Sequence, residues 1–375
     1  MDMDKPYRIL NIFMVLDRGG AETFVMNIFR HIDRSRVQFD FLVHGDTIGA
    51  YEEEIRALGG RIYRLPTMGL RSLPSYLKAV DRFLQEHGKE YKVIHSHASE
   101  LGCFIFQKAK KYGIPFRVCH AHSAPKGMNV KTPVRFLFKK YMLRFTNVGF
   151  ACGDEAGRWQ FGKAQPFRVI NNGIPTAKYA FDVQTREMVR SQYGIRDGQL
   201  AVGHIGRFET PKNHAFLIDV FEQVVAQRND AVLMLIGIGS LQDSIRQRVN
   251  EKHLEDHVIF LNAQSDVTPF LQAMDVFVFP SLFEGLGIAL VEAQAAGLSC
   301  VAADVVPKAA NVTDLVTNLS LTESAQMWAN SLCATDVVHE RRGYADKVAE
   351  AGYDIVSSAT SLQAFYEECY AKEQE

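Results

Sequence analysis

At 375 residues and 47% hydrophobic content, the chain exceeds one ordinary domain, and two domains with sizeable cores are expected. A formal net charge of −1 gives no global drive toward nucleic acid, and no apolar run is long enough to span a bilayer. The acidic start Met1-Asp2-Met3-Asp4-Lys5 leads directly into a strand, and the six cysteines are scattered without a Cys-x-x-Cys pair. Buried reduced thiols in a cytoplasmic protein are therefore expected, rather than disulfides or a metal site.

Strand-like and helix-like segments alternate from end to end. In the first half, strands are read at 8–15, 37–43, 61–65, 93–95, 116–120, 148–151 and 168–170, with helices at 21–31, 51–58, 75–86, 100–111, 134–144 and 154–161. The turn-forming run Asn171-Asn172-Gly173-Ile174-Pro175 marks a boundary, placing one domain at 1–172 and a second at 173–354. A helical piece at 186–193 precedes strands at 201–205, 231–236, 258–261, 276–279 and 299–302, with helices at 215–228, 241–251, 267–273 and 288–296 between them. A last helix is read at 358–372, with Leu362, Phe365, Tyr366 and Cys369 on one face. This order predicts an α/β fold of two doubly wound, Rossmann-like parallel-sheet domains facing a crevice, with ligands at the carboxyl ends of the strands.

The chemistry gathers at those ends. Glu284 lies in the loop after strand 276–279, and Glu292 lies on the helix that follows, which stops at Gly297. Between them Gly285, Leu286, Gly287 and Ile288 bring uncovered amides to a helix N-terminus, a natural place for a phosphate. An anion cradle flanked by two carboxylates suits a nucleotide-sugar, with the phosphate in the cradle and hydroxyls on the acids. Arg207 and Lys212 follow strand 201–205 and can neutralise a diphosphate as charge develops on the leaving oxygen. Gly237 follows strand 231–236, where a glycine lets a nucleotide approach the backbone. Gly20 and Glu22 follow the first strand without the Gly-x-Gly-x-x-Gly of a dinucleotide fold, and suit either a phosphate or an acceptor.

Histidines end two further strands, in His95-Ser96-His97 and His120-Ala121-His122. Pairs at i and i+2 point to one side. No Cys or acidic ligand set accompanies them, so a hydrogen-bonding or proton-handling group is favoured over zinc, and a core role stays open for His95 and His120. From Leu101 to Gly153 there is no Asp or Glu. Within this stretch Lys131, Arg135, Lys139, Lys140 and Arg144 mix with aromatic and aliphatic residues. That mixture reads either as a surface for anionic lipid or as a core helix with a solvated basic face.

Taken together, Gly19-Gly20-Ala21-Glu22, the His95-Ser96-His97 strand end, His122, Asn172-Gly173-Ile174, Gly206-Arg207, Lys212-Asn213 and the Glu284-x7-Glu292 segment resemble the retaining, nucleotide-sugar-dependent glycosyltransferases of group 1, or family 4. Val306-Pro307-Lys308, Thr313-Asp314-Leu315-Val316 and Leu319-Ser320-Leu321 look like its capsule and exopolysaccharide subgroup. Tyr91-Lys92, Asn262 and Ala309 depart from the family pattern. The resemblance implies a GT-B architecture, with a C-terminal helix at 355–375 crossing back onto an acceptor-binding first domain. It implies transfer of a hexose with retention (EC 2.4 class) from a UDP- or GDP-type donor to a lipid-linked or oligosaccharide acceptor. No cofactor or bound metal is implied.

By the same resemblance Arg207, Lys212 and the amides of 285–288 hold the diphosphate, with Gly20 near it. Glu292 takes the ribose, Glu284 the transferred sugar, and His122 lies beside the reacting sugar. Glu22 and His97 stand on the acceptor side. A protein peripherally attached to the inner face of an anionic membrane follows. Two other readings stay open: a sugar-nucleotide 2-epimerase of the same architecture, and a non-catalytic nucleotide-binding subunit.

Overall fold

The computed structural model describes residues 5–17, 19–69, 71–98, 102–122, 132–163, 165–334 and 340–372, with the side chains of 132–134 excluded. Two compact units emerge: 1–174 joined by 355–375, and 175–354.

The first unit holds the parallel strands β1 (Tyr7–Ile12), β2 (Val37–His44), β3 (Ile62–Leu65), β4 (Val93–Ser96), β5 (Phe116–Ala121), β6 (Val148–Ala151) and β7 (Arg168–Val169), in the order β3-β2-β1-β4-β5-β6-β7. β2 and β4 are buried along their whole length, the pattern of strands covered on both faces. One face carries Ile9, Phe39, Phe41, Val93 and Val118 against the helix Gly20–His31, and the other packs Leu10, Ile12, Ile94 and Cys119 against the helices Leu73–His87 and Cys103–Lys111.

The C-terminal helix Ile355–Ala371 completes the first of these faces with Ile355, Ala359, Leu362, Tyr366 and Tyr370. The Tyr370 ring stacks on Tyr7 at 4.4 Å, and Arg36 meets Glu367 at 2.6 Å. Tyr91 and Lys92, which break the family pattern, are used structurally. The Tyr91 hydroxyl donates to the buried Asp40 at 2.9 Å, and Lys92 Nζ donates to the Tyr370 carbonyl at 3.0 Å.

The second unit holds β8 (Ala201–Ile205), β9 (Val232–Ile236), β10 (Val258–Leu261), β11 (Val276–Phe279), β12 (Ser299–Ala303) and β13 (Val316–Leu319), in the order β10-β9-β8-β11-β12-β13. Each sheet reverses its strand order once, between β1 and β4 in the first and between β8 and β11 in the second. Such switch points open a crevice at the carboxyl ends, where α/β sheets bind ligands. The loops after β8 and β11 carry Arg207, Lys212 and Glu284, so the second switch point is where the charged residues sit.

β13 escapes a reading by apolar runs because Val316-Thr317-Asn318-Leu319 is an edge strand with two exposed polar residues. The first strand ends at Ile12 rather than at residue 15: the Phe13 amide still donates to the Leu42 carbonyl at 3.0 Å, but the Phe13 carbonyl meets the His44 ring Nδ1 at 2.8 Å, and the His44 amide bonds the Met14 carbonyl instead. Five of the six cysteines are buried, and none of the six forms a disulfide.

Candidate active site

In the second unit, Phe208 to Leu241 is folded by glycines that the chain itself requires. A Cβ at Gly237 would stand 2.1 Å from the Gly206 carbonyl oxygen, at a φ of +146°, and one at Gly239 would meet the Phe208 backbone. The close approach of the Gly206 carbonyl thus by itself requires a glycine at 237.

Pro211 carbonyl accepts from the Leu282 amide at 2.8 Å, and Asn213 Nδ2 donates to the Pro280 carbonyl at 3.2 Å. These bonds tie the loop after β8 to the loop after β11. They bring Lys212 Nζ to 2.6 Å from Glu284 Oε1, with both side chains largely buried. The same ammonium lies 4.8 Å from the centre of the Phe279 ring. Arg207 is exposed at the mouth of the same strand.

Gly287 caps the helix Ile288–Ala295 in the left-handed region, at φ +91°. A Cβ there would lie 3.2 Å from Phe279 and 3.3 Å from Val306. Gly285 is exposed, Leu286 and Gly287 are buried, and Ile288 is partly buried. The first amides of a helix lack intrahelical acceptors, so this turn offers N–H groups and the positive end of the helix dipole beside Lys212.

One turn on, Glu292 Oε1 accepts a hydrogen bond from the Tyr179 hydroxyl at 2.9 Å. Burial pushes the Glu292 carboxyl up to about 7, with Asp266 adding to the rise, while Tyr179 and Lys212 oppose it. Lys212 therefore acts on both acids of the Glu284–Glu292 pair. Tyr179 was not singled out from sequence. Its signal is an aromatic residue with a hydroxyl shortly after the Asn172-Gly173 turn, in a stretch to which no element was assigned.

In the first unit Gly20 opens the helix Gly20–His31, and a Cβ added to it would meet open space. The Glu22 carboxylate folds back over Gly19, and burial raises its pKa. Phe24 of the same helix packs against the rings of His120 and His122.

The four histidines form a ladder on one face of the sheet. His95 and His97 stack at 4.2 Å, His120 and His122 likewise at 4.2 Å. Two hydrogen bonds cross from β4 to β5: His95 Nε2 with His120 Nδ1 at 3.2 Å, and His97 Nδ1 with His122 Nε2 at 2.8 Å. Tyr366 Oη meets His95 Nδ1 at 2.7 Å, and Asn11 Oδ1 meets His97 Nε2 at 3.2 Å. Burial holds all four imidazoles neutral, with His95 and His122 lowered to about 3 and the others also below the usual range.

Donor atoms of His95, His97 and His120 lie within 4.8 Å of one another, close enough to share a metal ion. Each of the three already bonds another side chain, and no carboxylate joins this group among the described residues to balance a dication. His95 and His120 have no exposed surface and belong to the core, while His122 is partly exposed.

The basic helix Thr132–Leu143 divides its residues unequally. Lys131 lies outside the described residues. Phe136, Leu137, Lys140 and Arg144 are exposed, the two apolar ones by 47% and 66%. Lys139 corrects the expectation of a lipid contact. It is buried, its Nζ donates to the Trp159 carbonyl at 2.6 Å, and it lies over the rings of Phe136 and Trp159. Arg135 is half-buried, 5.8 Å from the Trp159 ring centre. Among the described residues no helix is long and apolar enough to cross a membrane.

Comparison with known proteins agrees with this layout. Residues 19–173 match the family described as Glycosyl transferase 4-like domain, and residues 185–333 match Glycosyl transferases group 1. The chain is 34% identical to the putative glycosyltransferase EpsF of Bacillus subtilis (strain 168) over 369 residues, 96% of each chain. It is 22% identical over 227 residues to the UDP-Gal:alpha-D-GlcNAc-diphosphoundecaprenol alpha-1,3-galactosyltransferase of Escherichia coli, covering 58% of this chain and 59% of that one. The crystal structure of Anabaena Alr3699/HepE in complex with UDP superposes with a TM-score of 0.79 at 21% identity, over 96% of this chain and 100% of that one, and shares its GT-B fold. With two Rossmann-like sheets, both family matches and a full-length relative above 30% identity, the chain belongs to the group 1 glycosyltransferases.

Proposed function

We propose that this glycosyltransferase moves a hexose, with retention, from a nucleotide-diphosphate sugar to a lipid-linked saccharide during the building of a bacterial exopolysaccharide or capsule. The observation that carries the reading is the 2.6 Å pair of Lys212 and Glu284 beside a helix N-terminus, with Glu292 one turn further along. The donor diphosphate lies on Arg207, Lys212 and the amides of 285–288. These groups neutralise the charge that develops on the leaving phosphate oxygen. Glu292 accepts from the ribose hydroxyls and Glu284 from those of the transferred sugar. His122 stands beside the reacting sugar and Gly20 near the diphosphate, with Glu22 and His97 toward the acceptor.

A uridine donor is favoured because the Anabaena protein was solved with UDP and with UDP-glucose. The undecaprenol-linked acceptor in the name of the E. coli relative supports a lipid-linked acceptor. The exposed face of Phe136, Leu137, Lys140 and Arg144 supports peripheral contact with an anionic cytoplasmic leaflet. The test is product analysis with UDP- and GDP-sugars and undecaprenyl-diphosphate saccharides. A new α-glycosidic bond with release of the nucleoside diphosphate supports the reading. An isomerised donor without transfer would make the protein an epimerase, and nucleotide binding with neither product would make it a non-catalytic subunit.

A further inference from the structure

Asn11 is a buried amide in the otherwise apolar run Ile9-Leu10-Asn11-Ile12-Phe13, opposite His95 in the β1–β4 ladder. A buried polar group in such a strand is costly unless it is used. Its Oδ1 lies 3.2 Å from His97 Nε2, while its Nδ2 is buried with no partner among the described residues. A carboxamide oxygen only accepts, so His97 Nε2 carries the proton and, in a neutral ring, His97 Nδ1 is bare. That bare nitrogen lies 2.8 Å from His122 Nε2, which must then donate to it. His122 is left with its proton on Nε2 and a lone pair on Nδ1. The Nδ1 atom is buried and has no hydrogen-bond partner among the described residues. The Phe13 ring, stacked on His97 at 4.7 Å and 7° from parallel, keeps the middle ring of the chain from turning.

We propose that Asn11 and His97 are positioning residues that lock His122 in the tautomer presenting an unprotonated Nδ1 as acceptor for a hydroxyl of the bound sugar. The proposal rests on the reading of His122 as the residue beside the reacting sugar. A neutral imidazole can present N–H or a lone pair at the same place, and the two select opposite partners. The Asn11 oxygen removes the choice two residues away from the substrate. A sugar lacking the matching hydroxyl would leave the buried Nδ1 unpaired, so this chain of bonds would also discriminate among donor sugars.

Long-range ¹H–¹⁵N correlation spectra of the full-length protein labelled with ¹⁵N-histidine test this without substrate. The expected result is a protonated Nε2 and a bare Nδ1 for both His97 and His122 at neutral pH. A protonated Nδ1 on His122 would overturn the proposal. In Asn11→Leu, with its fold checked by near-ultraviolet circular dichroism, the His122 signals should become a mixture of tautomers. Its kcat should fall about tenfold with the donor KM and the affinity for UDP little changed. An Asn11→Leu protein that retains the wild-type His122 spectrum and kcat would also overturn it. Failure of the underlying functional reading looks different: no sugar transfer by the wild type, with the predicted tautomers still present in the spectrum.

Discussion

Lys212 Nζ and Glu284 Oε1 form an ion pair at 2.6 Å across two neighbouring strand-end loops. In the free protein the lysine that the proposed function assigns to the diphosphate is held by the acid assigned to the sugar. A dianionic diphosphate outcompetes one carboxylate for an ammonium, and its arrival would release Glu284 to accept from sugar hydroxyls. On the proposed function, the pair would link binding of the nucleotide to readiness of the sugar site.

Glu284→Gln separates the two duties. It should lower kcat by about a hundredfold, the usual loss when a group acting at the reacting centre is removed. Free UDP should bind as well or two- to threefold more tightly (about 0.5 kcal/mol), because Lys212 no longer has an internal competitor. Isothermal titration of UDP alongside steady-state kinetics measures both. Equal losses in nucleotide affinity and turnover would place Glu284 on the nucleotide instead.

Tyr179 and Glu292 give a pH dependence. The Glu292 carboxyl is raised to about 7 by burial, above its ordinary value of 4.5. The folded protein therefore binds the proton more tightly than the unfolded chain. This group's contribution to stability is present below 4.5 and is lost as pH rises through about 7. On the proposed function the ribose hydroxyls donate to the ionised acid, so affinity for UDP should increase as pH rises across 7. Tyr179→Phe removes a bond that favours the ionised form, and the midpoint of the UDP affinity profile should move to higher pH. Glu292→Gln should flatten this component of the profile, read by titrating UDP between pH 6 and 8.

Much of this was legible because parallel sheets write themselves in short apolar runs. β9, β11 and β12 are buried on both faces and have almost continuous apolar sequences. The turn residues around Gly20, Gly206 and Gly287 stand where strands end, so the charged residues beside them could be assigned to one end of each sheet. The parts that were not legible are partnerships across the fold. Nothing local pairs Lys212 with Glu284, Tyr179 with Glu292 or Asn11 with His97, since each is created by loops or strands brought side by side. The packing need at Gly237 was hidden for the same reason. A Cβ there would meet the Gly206 carbonyl on a neighbouring strand end.

That close approach makes Gly237→Ala a test of packing rather than of binding. The added methyl would meet the Gly206 oxygen at 2.1 Å on a backbone held at φ +146°, a region that side chains rarely adopt. A loss of about 2–3 kcal/mol in urea unfolding is expected, and UDP affinity should fall in proportion to the displacement of Arg207. An unchanged unfolding midpoint would mean that the two strand ends part without cost.

The basic helix supplies a comparison in which neighbouring lysines behave oppositely. Lys140 and Arg144 are exposed next to Phe136 and Leu137, whereas the Lys139 ammonium is spent on the Trp159 carbonyl and two rings. Lys140→Glu with Arg144→Glu should leave the unfolding midpoint within about 0.5 kcal/mol of wild type, as surface charges do. It should abolish sedimentation with phosphatidylglycerol vesicles, at about 1 kcal/mol per lost charge before the added repulsion. Lys139→Glu should instead unfold more readily, by about 2–3 kcal/mol, because it breaks a charge-assisted hydrogen bond and buries an acid against aromatic faces. A salt series distinguishes the two effects, since vesicle binding weakens with ionic strength and the buried contact does not. If the Lys140→Glu/Arg144→Glu protein sediments like the wild type, the exposed face is not what meets the lipid.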